Sequence, residues 1–114
     1  MATKTATTAF SGRELTVTWA TVGNADDGTP ISGAGLRGSV QITGTPGGAT
    51  LVLEGSNDGG TTYATIKDVN NTAVSATAAG IFQIDTNIKQ LRPRSSGGSG
   101  TNLTVTLFAY YDQD

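Results

Sequence analysis

The chain has no cysteine and no histidine, and each absence removes a class of chemistry. Without cysteine there are no disulfides, no thiolate nucleophile and no cysteine-based zinc site. Without histidine the usual general base is missing. Paired carboxylates of the glycosidase kind would have to come from Glu14, Glu54 and a few aspartates, and most of those aspartates sit in turn contexts such as Asn57-Asp58-Gly59 and Lys67-Asp68. No glycine loop leads into a helix to cradle a phosphate, because no helical period is evident. The expectation is a protein that is not an enzyme and holds no cofactor and no metal.

Charge is also scarce. Only 14% of the residues are charged, against roughly 25% in ordinary globular domains. The net charge is −2, and the largest basic cluster is Lys89, Arg92 and Arg94. Neutralising nucleic-acid phosphates takes a concentrated positive face, so no nucleic-acid partner is expected. Long apolar runs are missing as well: MATKTATTAF lacks the apolar core of a signal peptide, and no stretch approaches a membrane span. That predicts no membrane partner and a product made in the cytoplasm.

What the chain does contain is glycine, 16 residues of it, and abundant threonine. Threonine is a β-branched strand former at ease on a solvated face, and glycine marks turns, so the bias predicts an all-β protein. At 114 residues there is material for one modest core. The clearest pattern lies in Gly38 to Asp68. Val40 and Ile42, Leu51 and Leu53, and Ala64 and Ile66 each alternate with polar or smaller residues, the period of half-buried strands. Thr45-Pro46-Gly47-Gly48 and Asn57-Asp58-Gly59-Gly60 separate them as turn formers, so the segment reads as a three-stranded meander.

Upstream, Arg13 to Thr21 reads as a strand with Leu15, Val17 and Trp19 on one face, which makes the single tryptophan a core anchor rather than a ligand platform. Val22 to Gly35 has no period and reads as a long loop. Its Asp26 and Asp27 read as a solvated turn, short of the oxygens a calcium loop needs. Downstream, short strands are expected at Ala73 to Thr77, Ile81 to Asp85 and Ile88 to Arg94. Pro93 marks a sheet edge or a departure from the sheet, because proline cannot donate to a ladder. Arg92 beside it is expected in a structural ion pair, with Asp68 or Asp85 as partner. In the last strand Leu103, Val105, Leu107 and Ala109 line one face, while Phe108 and Tyr110 place bulk on the other. A small domain has few layers to cover both, so Phe108 and Tyr110 are candidate interface residues and a dimer or trimer is expected. Residues 1–8, rich in Thr and Ala, are expected to form a flexible arm whose Thr3, Thr5, Thr7 and Thr8 add to a neighbour's sheet edge. Residues 9–114 then form one β-sandwich domain, a jelly roll being one topology open to it. Its expected core is Leu15, Val17, Trp19, Val40, Ile42, Leu51, Leu53, Ile66, Leu103, Val105 and Leu107.

The stretch VQITGTPGGATLVLEGSNDGGTTYATI, together with Thr18-Trp19, Arg92-Pro93 and the closing LTVTLFAY, resembles a family of small proteins encoded beside the major capsid protein in tailed-phage genomes, whose core is VQVTGTFGGATVTLQGSNDG-like. Pro46 stands where that pattern has an aromatic residue. The resemblance implies a virion protein that decorates or cements the capsid, with the major capsid protein as partner and the capsid surface as its place. A second, shorter likeness runs through Gly55-Ser56-Asn57-Asp58-Gly59 and Tyr63, similar to the turn of discoidin-type domains. It implies a carbohydrate- or surface-binding module on a head fibre or tail.

Overall fold

The structure, a computed structural model, describes residues 2–111. Gly12, at a φ of 64°, opens a two-residue turn that folds β2 (Thr7–Ser11) back on β3 (Glu14–Val22), with Ser11 opposite Glu14. The left-handed φ suits the tight hairpin and is cheap only for glycine. On β3 the alternation read from the sequence holds: Leu15, Val17 and Trp19 are buried. They pair with the inward residues of β10 (Asn102–Tyr111), Leu107 opposite Val17 and Ala109 opposite Leu15. The other edge of β10 takes β5 (Ile31–Thr45), setting Val105 against Ile42 and Leu107 against Val40. Val105 and Leu107 therefore sit between two apolar side chains each, Leu103 lies between Val22 and Gly44, and all three are buried.

The longest strand, β9 (Gly80–Ser96), changes partners along its length. Its first half pairs with β5, from Ile42 opposite Gly80 to Gly33 opposite Ile88. From Gln90 onward it pairs with β6 (Thr50–Ser56), and Leu53 lies opposite Pro93. The β5 ladder ends at Leu91, so the missing N–H of Pro93 falls where β9 has left that neighbour. Two-residue strands β7 (Ala64–Thr65) and β8 (Ser75–Ala76) pair with the far edge of β6. β4 (Asp27–Gly28) lies beside β9 with Asp27 opposite Arg94, and β1 (Thr3–Lys4) pairs with β4 in parallel.

The result is an all-β domain made from one curled, mixed sheet in the order β1-β4-β9-β5-β10-β3-β2, with β6 attached to β9. The curl brings Leu51, Leu53, Ile66 and Val74 of the β6 side onto the same core as Leu15, Trp19, Val40 and Ile42. Trp19 is fully buried, its ring against Gly28 and its indole N–H donating to the Thr29 carbonyl at 3.0 Å. It is a core anchor with its one polar atom satisfied.

Three expectations fail, each for a nameable reason. The first pairing of the meander does not form: β6 pairs with β7 as expected, but β5 and β6 follow one another without pairing, because β9 and β10 already take the two edges of β5. The glycine turn after Thr45, closed by Ala49 N–H on the Pro46 carbonyl at 3.0 Å, instead carries the chain across the core. The stretch from Val22 to Gly35 is not one long loop, since β4 and the start of β5 lie within it. Nor do residues 2–8 stand off as an arm. Thr3 and Lys4 pair with Asp27 and Gly28, and Thr7 and Thr8 with Thr18 and Val17; Met1 is outside the described residues.

Where β5 passes between β9 and β10, Gly38 lies opposite Ala109 and Ile84. A Cβ there would strike the Phe108 carbonyl oxygen and the Ala109 Cα, both backbone atoms that cannot turn aside. Gly38→Ala is therefore expected to destabilise the fold by about 3 kcal/mol in urea denaturation. Gly80→Ala, whose Cβ would meet open space, should stay within about 0.5 kcal/mol of the parent.

Candidate functional site

The strand register lays out the outer face of the sheet row by row. Tyr110 lies between Glu14 and Arg37, and Arg37 is followed by Asp85. One row along, Phe108 lies between Thr16 and Ser39, followed by Gln83. Phe108 is 38% and Tyr110 50% exposed. The two rings meet edge to face, centroids 5.7 Å apart, so each holds the other's orientation. The Tyr110 hydroxyl donates to Glu14 Oε2 at 3.3 Å, and Arg37 Nε lies 3.7 Å from Asp85 Oδ2. A shallow groove runs beside the rings between Arg37, Ser39, Gln83, Asp85 and Val69. Val69 and Ile81 are exposed as well, so the face carries aliphatic, aromatic and charged groups together. Tyr, Phe and Arg on a flat patch with a polar rim match the composition of protein interfaces.

The four threonines named with these rings lie elsewhere. Thr3 donates its hydroxyl to Asp27 Oδ1 at 2.7 Å, Thr7 and Thr8 are in the β2 hairpin, and Thr5 links the two strands; all four are exposed. They border β3 and β4 and do not join the Phe108–Tyr110 patch.

The strongest electrostatic feature lies on the other layer. The sequence points to Arg92 but to neither of its carboxylate partners. Glu54 on β6 is only 4% exposed, and the register places it opposite Arg92 of β9. Arg92 Nε donates to Glu54 Oε1 at 2.8 Å and Arg92 Nη1 to Asp27 Oδ2 at 3.1 Å, while Arg94 Nε reaches Glu54 Oε2 at 3.2 Å. The Tyr63 ring covers the guanidinium, 3.7 Å from Arg92 Cζ to the ring centroid. Arg92 is thus in an ion pair, but with neither Asp68 nor Asp85. Asp68 accepts from the amides of Asn70 and Thr72 in its own turn, and Asp85 lies beside Arg37 across the β5 ladder.

Asp26 and Asp27 are not a solvated turn; they are 7% and 4% exposed. Asp26 accepts from Gly23 N–H at 2.8 Å and Ala2 N–H at 2.9 Å, with Lys4 Nζ at 3.7 Å. Burial pushes its carboxyl up, but those hydrogen bonds and the Lys4 charge outweigh it and hold the group below its ordinary value. Asp58 is also held low, first by the Ser56 hydroxyl and then by the Thr62 amide. Its oxygen closes the Ser56–Thr62 turn from within: Ser56 Oγ donates to Asp58 Oδ1 at 2.6 Å and Thr62 N–H at 2.9 Å. The discoidin-like loop thus has its carboxylate occupied by its own backbone and its tyrosine stacked on Arg92. Among the described residues no group of three or more acidic side chains converges on a metal-sized site.

No protein-family model matches the chain, and no curated protein matches it in sequence.

Removing one partner from a buried ion cluster strands the charges left behind. Arg92→Ala leaves Asp27 without its cation and Glu54 with Arg94 alone. It should lower unfolding free energy by about 3 kcal/mol, measured by chemical denaturation of the isolated protein.

Proposed function

We propose that this chain is a non-enzymatic structural protein of a phage virion that decorates or cements the capsid at junctions between capsid subunits. The reading is carried by the resemblance in VQITGTPGGATLVLEGSNDGG, Thr18-Trp19 and Arg92-Pro93. What supports it physically is how those residues are used. Trp19 anchors the core, the glycine turn after Pro46 crosses it, Asp58 closes its own turn, and Arg92 neutralises Glu54 and Asp27. The shared residues are fold-bearing, so a chain that has them is built to present this sheet. The face of β3, β10, β5 and β9 with Phe108 and Tyr110 is the surface we assign to assembly, with the capsid or with a second copy in a dimer or trimer.

The mechanism is linkage. A decoration protein binds where neighbouring subunits meet, gains affinity only when that composite site exists, and thereby stabilises the shell that has it. Phe108 and Tyr110 suit this role because their partial exposure leaves apolar area to remove from water on contact, at roughly 25 cal/mol per Å². The discoidin-like reading is less supported, because Asp58 and Tyr63 are engaged in internal contacts.

The test is co-sedimentation with purified empty capsids, beside a glycan array. Phe108→Ser combined with Tyr110→Ser should reduce attachment at least about tenfold, the loss of roughly 1.4 kcal/mol, with the β fold retained by circular dichroism. Sedimentation of the free protein tells which contact the rings make: a parent oligomer that becomes monomeric in the variant assigns the face to copies of this chain. Glycan capture without capsid binding would overturn the reading.

A further inference from the structure

β1 is seated by polar contacts at both its backbone and its side chains. Asp27 N–H donates to the Ala2 carbonyl at 3.0 Å and Thr29 N–H to the Lys4 carbonyl at 2.9 Å. In return Ala2 N–H donates to Asp26 Oδ1 at 2.9 Å and the Thr3 hydroxyl to Asp27 Oδ1 at 2.7 Å, with Lys4 Nζ 3.7 Å from Asp26 Oδ2. Ala6 is the first residue from the N-terminal side that packs against the hydrophobic core. The segment before it is exposed or half-buried, and its pairing with β4 is two residues long. Its socket, in contrast, is rigid: Asp27 is locked by Arg92, Asp26 by Gly23, and the Asp26 amide donates to Ser95 Oγ at 3.2 Å. A short polar strand on a rigid buried pair of carboxylates has the features of a unit that opens without the rest of the domain.

We propose that Ala2 to Thr5 form a latch, closed on the Asp26 and Asp27 carboxylates, which opens independently of the domain and releases a strand that can add to the sheet edge of a capsid subunit. The capsid as recipient rests on the proposed function; the latch does not. Opening frees the carbonyls of Ala2 and Lys4 and bares the amides of Asp27 and Thr29, so backbone groups suited to strand addition are released together.

The latch is electrostatic, and its pH dependence follows from the groups around Asp26. Lys4 faces it from β1, Asp27 adjoins it, and Arg92, Arg94 and Glu54 form the cluster beyond Asp27. A carboxylate held below its ordinary value contributes stability at pH values above 3.8, and that contribution is lost as pH falls through the folded value. The latch is therefore closed at neutral pH and weakened by acid below that range.

Amide hydrogen exchange of the full chain reads the latch without any capsid. The reporters are Asp27 and Thr29; Leu53 and Val74, which donate to the Val74 and Ile66 carbonyls, report the domain. At pH 7, after correction for intrinsic rates, Asp27 and Thr29 should exchange at least about tenfold faster than Leu53 and Val74. Asp26→Asn should accelerate the first pair by about a further tenfold, the loss of one charge-assisted hydrogen bond, and leave the second within about twofold. Because Asp26 also orders the turn at Gly23, Thr3→Val with Lys4→Ala applies the same test from the arm side. Equal exchange of all four amides in the parent, or equal acceleration of all four in the Thr3 and Lys4 variant, overturns the latch. Capsid co-sedimentation is a separate readout, so loss of the virion reading leaves the exchange result standing.

Discussion

Two carboxylates on different strands, Glu54 and Asp27, are taken almost entirely out of water, and Arg92 is the cation they share. A buried anion is tolerated only where opposite charge and donors reach it, so the guanidinium must lie where β4, β6 and β9 converge. That requirement sets the second half of β9 against β6 at a fixed register, Glu54 opposite Arg92. Because the first half of β9 belongs to β5, the same long strand joins the two sides of the curled sheet. The core between Trp19 and Leu53 is closed by that connection. Asp27, held in place by Arg92, in turn holds Thr3.

How much of this could be read from the residues depends on the range over which each feature is determined. Alternation is local, and it located the buried faces of β3, β5, β6 and β10: Leu15, Val17, Trp19, Val40, Ile42, Leu51, Leu53, Leu103, Val105 and Leu107 are all within 2% of full burial, with Ile66 at 6%. Turn chemistry is local too, and Asp58 and Asp68 each accept amides of their own turns. Pairing is not local. Nothing in the composition of β5 and β6 says that β9 and β10 already occupy the edges of β5, so adjacency in sequence misleads.

The polar residues were hardest for the same reason. Asp26 and Asp27 lie in a glycine-rich stretch without apolar period, where carboxylates are normally solvated. Their burial depends on Arg92 and Ser95, some seventy positions away, and on an N-terminal strand whose own composition shows no period. Glu54 alternates with Leu53, as a solvated residue would, until Tyr63 and two arginines close over that side of β6. Phe108 and Tyr110 were visible from the start, because bulk on the outward face of a strand breaks the pattern whatever its partner strands are. The proposed function draws on a face legible from alternation, and the proposed latch on polar contacts that only the three-dimensional arrangement brings together.

A cryo-EM reconstruction of the parent virion tests the proposed role most directly. The account predicts density for this curled sheet at junctions between capsid subunits, with Phe108 and Tyr110 turned toward the shell or toward a second copy. Density for the fold on the tail alone, or on the capsid with both rings facing solvent, would contradict it.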